Sequence, residues 1–373
     1  MNSNENKATL LLSDGTIFYG KPCGKIGTTT GEIAFNTGMT GYQEIFTDPS
    51  YYGQLLTMAN SHIGNYGTNE LEIESNNVQI NGLIVKKFAH HFSRYGDQNQ
   101  LLNNFLLKDN IVGIKDIDTR ELIRHIRENG AQNAIISSEN KSIDDLKKIL
   151  KDAPNMKGLE LASKVSTKSI YEVGTGDLRI ALIDFGVKKN IIRCLKERNC
   201  TVKVFPYNVS FKEISEYQPN GIMLSNGPGD PEPLKDSIEL VKQLVEENFP
   251  IFGICLGHQI LALSQGLSTE KMYNGHRGIN HPVKNLLTNK CEVTSQNHGF
   301  VVKREDVEKN KNITLTHVHL NDHTVAGISI NGKKAFSVQY HPESSPGPND
   351  SRYLFDQFIE IVSETKLEIQ KVL

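Results

Sequence analysis

Cys255 lies in the run Gly253-Ile254-Cys255-Leu256-Gly257, the thiol counterpart of the G-x-S-x-G elbow that presents a nucleophile at a sharp strand-to-helix turn. Residues 250–254 read as a short apolar strand, and residues 256–263 have helix-forming character and close at Gly266. Small residues on either side of the cysteine let the backbone turn tightly and hold the side chain out. A thiol at the start of a helix sees partial positive charge, which favours the thiolate that attacks carbonyl carbon. A buried structural cysteine with glycines nearby would give the same five letters, so the elbow needs a base and an anion-stabilising group before it carries chemistry.

A base is available farther on. Residues 335–340 read as a strand and are followed at once by His341-Pro342-Glu343. Pro342 disfavours helical geometry at His341, and in an extended segment residues two apart point to the same side. His341 and Glu343 can therefore face one cleft, the carboxylate fixing the imidazole tautomer and leaving the other ring nitrogen to serve Cys255. That is the nucleophile, base and orienter logic of a triad. Taken alone, a His-Pro turn closing a strand explains the same residues. His317 and His319 alternate on a strand-like stretch with His323 nearby, but no further ligand is identified, so no metal site is assigned.

The anion-stabilising group is sought in Ser225-Asn226-Gly227-Pro228-Gly229-Asp230-Pro231, which follows a strand at residues 221–224. Pro228 has no backbone N–H, leaving Gly227 and Gly229 as donors that can approach a ligand closely. A donor from this loop and the N–H of Leu256 could together hold the negative oxygen of a tetrahedral intermediate. A phosphate-cradling loop is the competing reading, and it lacks the Gly-Lys-Ser/Thr that would supply charge and a metal ligand.

Each of these turns follows a strand. Residues 178–185 read as a buried strand, 189–198 as a helix, 201–205 as a second strand and 221–224 as a third. Strands alternating with helices predict an α/β fold with a doubly wound, mostly parallel sheet, whose sites gather at the carboxyl edge. The amino-terminal portion has a different pattern. Residues 9–12 and 16–19 form a hairpin across Ser13-Asp14-Gly15, and residues 27–67, rich in Gly, Thr, Tyr and Asn, read as short strands and loops. An amphipathic helix over 121–128 follows Asp118-Thr119 and ends at Gly130, and Ser142 with Asp145 makes a capping box. This is a mixed α+β domain, 1–152; residues 153–176, punctuated by Pro154, Gly158, Gly174 and Gly176, read as a linker to a domain at 177–373.

A chain of 373 residues exceeds what one core usually organises, in keeping with two domains. With 41 basic against 43 acidic residues there is no electrostatic footprint for nucleic acid or anionic membrane. The polar start carries no secretory signal and no stretch is apolar enough to span a bilayer, so a cytoplasmic location is expected. Five scattered cysteines suggest neither a disulfide frame nor a zinc knuckle; Cys23, Cys194, Cys200 and Cys291 read as small buried apolar residues.

Residues 252–259, the loop 226–231 and His341-Pro342-Glu343 together resemble the triad-type, class I glutamine amidotransferases. Asn297-His298-Gly299-Phe300, Gly41-Tyr42-Gln43-Glu44 with Thr47-Asp48-Pro49-Ser50, His62-Ile63-Gly64-Asn65 and Gly130-Ala131-Gln132-Asn133 are further similar to the small, glutamine-hydrolysing subunits of carbamoyl-phosphate synthases. The resemblance covers nearly the whole chain. It implies Cys255, His341 and Glu343 as the triad, oxyanion donors from Gly227 and Leu256, and glutamine contacts at Ser50, Gly227, Gly229, Leu256, Gln259, Asn297, Gly299 and Phe300. With Ser50 among them, it implies a pocket at the cleft between domains. It also implies a large synthetase subunit as partner, which uses ATP, Mg and bicarbonate and receives ammonia through a channel, with no cofactor bound by this chain. One departure is Ile279, after Gly278, where the family pattern has a second glycine; it bears on local loop shape.

Three other readings stay open on sequence: another triad-type amidotransferase, a cysteine hydrolase of the α/β-hydrolase kind, and a binding module without catalysis. The α/β-hydrolase order places the acid before the histidine, opposite to His341 and Glu343.

Overall fold

The apolar runs of the carboxy-terminal half become five adjacent parallel strands, in the order Cys200–Pro206, Leu178–Asp184, Gly221–Leu224, Ile251–Ile254 and Ala335–Val338. They are apolar on both faces because both faces are covered. Ile222, Leu224 and Ile251 pack with Leu240, Leu244 and Ile260 on one side, while Met223 and Phe252 pack with Phe355 and Phe358 on the other. In the computed structural model, which describes residues 7–91 and 100–372, these strands belong to the second of two units, Glu160–Met272 with Ile279–Leu373. Antiparallel strands extend the sheet past Ala335–Val338, beginning with Val325–Ile330 and Ile313–His319, and Tyr171–Val173 adds antiparallel to the opposite edge. Part of the stretch read as a linker is thus structured, since it also holds the helix Ala162–Val165.

The first unit, Met1–Leu159 with Tyr273–Gly278, is built on a closed barrel of seven strands. The expected hairpin is present, with Leu10 opposite Phe18 and Leu11 opposite Ile17. The helix Thr119–Asn129 is capped by Asp118, whose carboxylate accepts the N–H of Arg120 and Glu121, and Ser142 caps Ile143–Lys151 by accepting the N–H of Asp145. Residues 27–67 differ from the reading of short strands and loops. They hold the nine-residue strand Thr28–Asn36, the helix Tyr42–Thr47 and the strand Gln54–Met58. Thr28–Asn36 pairs on both sides, parallel to Gln54–Met58 and antiparallel to Asn133–Ser137, so its order comes from neighbours that local composition does not reveal. Cys291 also departs from expectation: it is exposed, because it begins the outermost strand, Cys291–Val302, while Cys23, Cys194 and Cys200 are buried. The polar start, residues 1–6, lies outside the described residues. No helix among the described residues is long and apolar enough to cross a membrane.

The turn after Ile251–Ile254 is the tightest feature of the sheet. Cys255 has φ 53° and ψ −103°, a left-handed conformation costing of order 1–3 kcal/mol for a residue with a side chain. The helix Leu256–Ser264 starts immediately behind it and lies against the end of the neighbouring strand Gly221–Leu224 so closely that a Cβ on Gly257 would sit 2.4 Å from the Leu224 carbonyl oxygen. Backbone cannot yield there as a flexible side chain could. Gly257→Ala is expected to lower the thermal midpoint by about 5–10 °C, as a loss of about 2–3 kcal/mol would in a domain of this size. An unchanged calorimetric midpoint would show that the elbow has slack the distances do not reveal.

Candidate active site

Four neighbouring parallel strands deliver their carboxyl ends to one edge of the sheet. After Asp184 the chain runs to Lys188, after Leu224 to Gly227, after Ile254 to Cys255, and after Val338 to His341. Strands about 4.8 Å apart put the loops on either side of Cys255 within side-chain reach of it. Register completes the placement: Ile254 lies opposite Val338, and the Cys255 N–H donates to the Val338 carbonyl at 2.9 Å. The backbone N–H of His341 donates to the Ser295 carbonyl at 2.9 Å, which turns the chain back toward the elbow.

Cys255, His341 and Glu343 come together at this edge of the sheet. His341 Nδ1 is 2.7 Å from Glu343 Oε1, and both side chains are buried. The ring lies close enough to Cys255 for the two side chains to interact electrostatically, and Nε2 makes no hydrogen bond among the described residues. Cys255 Sγ also approaches the Asn297 carbonyl oxygen at 3.6 Å. Burial opposes charging of the His341 ring, but the Glu343 carboxylate and the neighbouring Cys255 outweigh it and push the ring up to about 10. Burial likewise opposes ionisation of Glu343, yet the Lys188 ammonium and His341 bring its carboxyl down to about 2. His258 stands in the helix that Cys255 precedes, and its ring is engaged elsewhere. Its Nδ1 is paired with Ser337 Oγ at 2.8 Å, and burial followed by His317 takes the ring down to about 3.

Lys188 is the part of the site that sequence reading missed. Its Nζ lies 2.9 Å from Glu343 Oε1 and also donates to the Ser344 carbonyl, and its backbone N–H donates to Asn226 Oδ1 at 3.0 Å. The side chain is 3% exposed, which makes the pair with Glu343 a buried ion pair and not a surface one. Asn190 Nδ2 donates to the Glu343 carbonyl as well. The available signal was positional: a lysine four residues past the end of a buried strand that ends at the sheet's carboxyl edge.

The glycine loop packs against the elbow on the other side. Ser225 Oγ accepts the Phe185 N–H at 2.9 Å, and the Ser225 carbonyl accepts the N–H of Gly257 at 3.0 Å, so the loop is tied to both neighbouring turns. Leu256 is the first residue of its helix, and its N–H therefore has no intrahelical acceptor. Gly227 packs directly on it, since a Cβ at Gly227 would lie 2.8 Å from Leu256 Cδ2 and 2.3 Å from the Phe185 carbonyl oxygen. Gly229 is farther along, with φ 89°, and bridges to Glu160. Gln259 Nε2 donates to the Phe300 carbonyl at 2.8 Å and to Gln339 Oε1 at 3.1 Å, which brings Gln259 and Phe300 together; Asn297 and Gly299 stand on the same strand, Cys291–Val302, as Phe300. Ser50 belongs to the first unit, in the short turn Pro49–Tyr51, where its N–H donates to Asp48 Oδ1 at 2.9 Å. His317 pairs with Thr316 Oγ1 at 2.9 Å, His319 with His281 at 3.0 Å, and His323 is exposed, so these three take separate partners.

A reactive cysteine on a doubly wound sheet, with a histidine and glutamate from a later strand, defines the class I glutamine amidotransferases, and residues 181–361 match the family described as glutamine amidotransferase class-I. Residues 10–136 match the family described as carbamoyl-phosphate synthase small chain, CPSase domain. The carbamoyl phosphate synthase small chain of Oceanobacillus iheyensis is 46% identical over 97% of this chain and 98% of its own length. Those of Clostridium acetobutylicum and Vibrio parahaemolyticus are 46% and 45% identical, over 95% and 96% of this chain and 100% and 98% of theirs. The chain belongs to the carbamoyl-phosphate synthase small chain family.

Two expectations follow from the buried charges. Glu343 falls from its ordinary 4.5 to about 2, so its contribution to stability is whole above about pH 4.5 and is lost as pH falls toward 2. His341 rises from 6.5 to about 10, so its contribution is whole below about pH 6.5 and is lost as pH climbs toward 10. Glu343→Gln should therefore flatten both limbs of the thermal midpoint against pH; a parent-to-variant difference that stays constant from pH 3 to 10 would contradict the coupling. Lys188→Met, which strands a buried carboxylate with one partner fewer, is expected to cost about 3–5 kcal/mol in denaturant unfolding, with Lys188→Arg recovering part of it.

Proposed function

We propose that this chain hydrolyses L-glutamine to glutamate and ammonia, and that it passes the ammonia to a large synthetase subunit that makes carbamoyl phosphate. The observation that carries this reading is Cys255 at a strained strand-to-helix corner, against a His341 whose Nδ1 is held by Glu343. Cys255 Sγ attacks the side-chain amide carbon, and the carbonyl electron pair moves to oxygen, where the N–H groups of Gly227 and Leu256 receive it. His341 gives its proton to the nitrogen, the C–N bond breaks, and ammonia leaves behind a thioester. Water then attacks the thioester carbon as His341 takes its proton; collapse releases glutamate and returns the sulfur.

Ammonia let out into neutral water would largely become ammonium, which has no lone pair for attack. A shielded route to a second active site follows from that chemistry. The large subunit would bind ATP, Mg and bicarbonate, the small chain itself needing no cofactor, and the heterodimeric complex would act in the cytoplasm in arginine and pyrimidine biosynthesis. The match of residues 10–136 to the small-chain domain favours this reading over other class I amidotransferases. The chain order, histidine before glutamate, disfavours an α/β-hydrolase.

Cys255→Ser is expected to abolish carbamoyl phosphate synthesis from glutamine by the complex while added ammonium still supports it. Loss of both activities together would assign the cysteine a structural role and sink the proposal.

A further inference from the structure

Gln259 sits one helical turn after Cys255, on the same face of the helix Leu256–Ser264. Both hydrogens of its side-chain amide are engaged, one by the Phe300 carbonyl and one by Gln339 Oε1. A carbonyl can only accept, so Phe300 decides which end of the Gln259 amide faces it, and that in turn requires the oxygen end of Gln339. Phe300 itself is held from the other side by His298 Nδ1 at 2.9 Å. The Gln259 oxygen makes no hydrogen bond within the described residues. Gln339 is buried, and its own nitrogen has no hydrogen-bond partner among the described residues. A glutamine kept in the interior with its nitrogen unused is there for its oxygen, because an apolar residue of the same shape would avoid the unsatisfied group.

We propose that Gln339 is a positioning residue that locks the Gln259 amide with its oxygen as the outward acceptor, so that the site selects a substrate group bearing N–H donors. The proposal deepens the glutaminase reading and rests on it. Without the Gln339 oxygen, the Gln259 amide is held by the Phe300 carbonyl alone, and its outward oxygen is no longer locked from two sides. An N–H2 donor turned toward a substrate N–H group meets another donor and repels it, so capture weakens while the sulfur, base and oxyanion donors stay in place.

The test uses the full-length protein with whatever partner copurifies, and compares the parent with Gln339→Met, which keeps shape and removes the acceptor, and Gln339→Glu, which keeps an acceptor oxygen. Steady-state hydrolysis is measured on glutamine and on glutamate γ-methyl ester, which lacks the amide N–H2. Gln339→Met is expected to raise KM for glutamine about tenfold, with kcat within about twofold, corresponding to one hydrogen-bond contribution, and Gln339→Glu should recover most of it. A rise confined to glutamine assigns the donor to the substrate amide; an equal rise on the ester assigns it to the α-ammonium group. Unchanged KM, or a fall in kcat with KM unchanged, overturns the proposal, the latter by pointing to His341 two residues on. Should Gln339→Met not fold, side-chain amide exchange in the parent decides: both Gln259 protons must be protected, and free exchange of either refutes the lock. A parent that does not hydrolyse glutamine refutes the glutaminase reading instead.

Discussion

A carboxylate kept ionised inside a dry interior is the constraint on which the rest of the second unit depends. Taking a carboxylate out of water costs several kcal/mol even after relaxation, and one partner rarely offsets it. Glu343 has two, and both converge on the same oxygen: His341 Nδ1 and Lys188 Nζ. The lysine is in turn fixed by the Ser344 carbonyl and by its own backbone bond to Asn226. Asn226 lies in the loop that leads to Gly227, so Glu343 and that loop share one set of hydrogen bonds. Disturbing either end reaches the other.

The parallel sheet is what makes such sharing affordable in sequence terms. Lys188, Gly227, Cys255 and His341 are spread over more than 150 residues, yet each needs only a short excursion beyond a strand end to reach its place. The strain at Cys255 is held by the same arrangement. Its backbone N–H is fixed to Val338, the next residue but one is fixed to Ser225, and the close approach to Leu224 leaves no room for relaxation at Gly257. A conformation costing of order 1–3 kcal/mol persists because neighbouring strands over-determine it.

What could be read from sequence follows from this geometry. The elbow, the His-Pro-Glu turn and the glycine loop were legible because each is a local pattern with a local cause: a sharp turn needs small residues, and a proline dictates the chain at the histidine. Strand runs at residues 178–185 and 221–224 were legible because both faces are buried and the runs are plainly apolar. Lys188 was not, since nothing in its neighbours distinguishes a lysine that folds inward to meet a carboxylate 155 residues away from one that points to water. The strand Thr28–Asn36 was hidden for a similar reason, its polar composition being stabilised by two partner strands that both lie later in the chain. Gln339 was read only as part of a strand, because the role of its oxygen depends on which way a second amide faces.

The strong hold of His341 on its proton suits amide cleavage in particular. An amine is a poor leaving group until protonated, and in the proposed reaction the upward shift of His341 favours a ring that carries the proton this step requires. Part of that hold comes from Cys255 itself. In the proposed reaction, bond formation between sulfur and the amide carbon moves electron density to the oxygen, beside the Gly227 and Leu256 N–H groups, and changes what the ring meets at its Cys255 side. Glu343, kept ionised by Lys188 throughout, still holds the other side of the ring and leaves it able to take a proton from the water that cleaves the thioester.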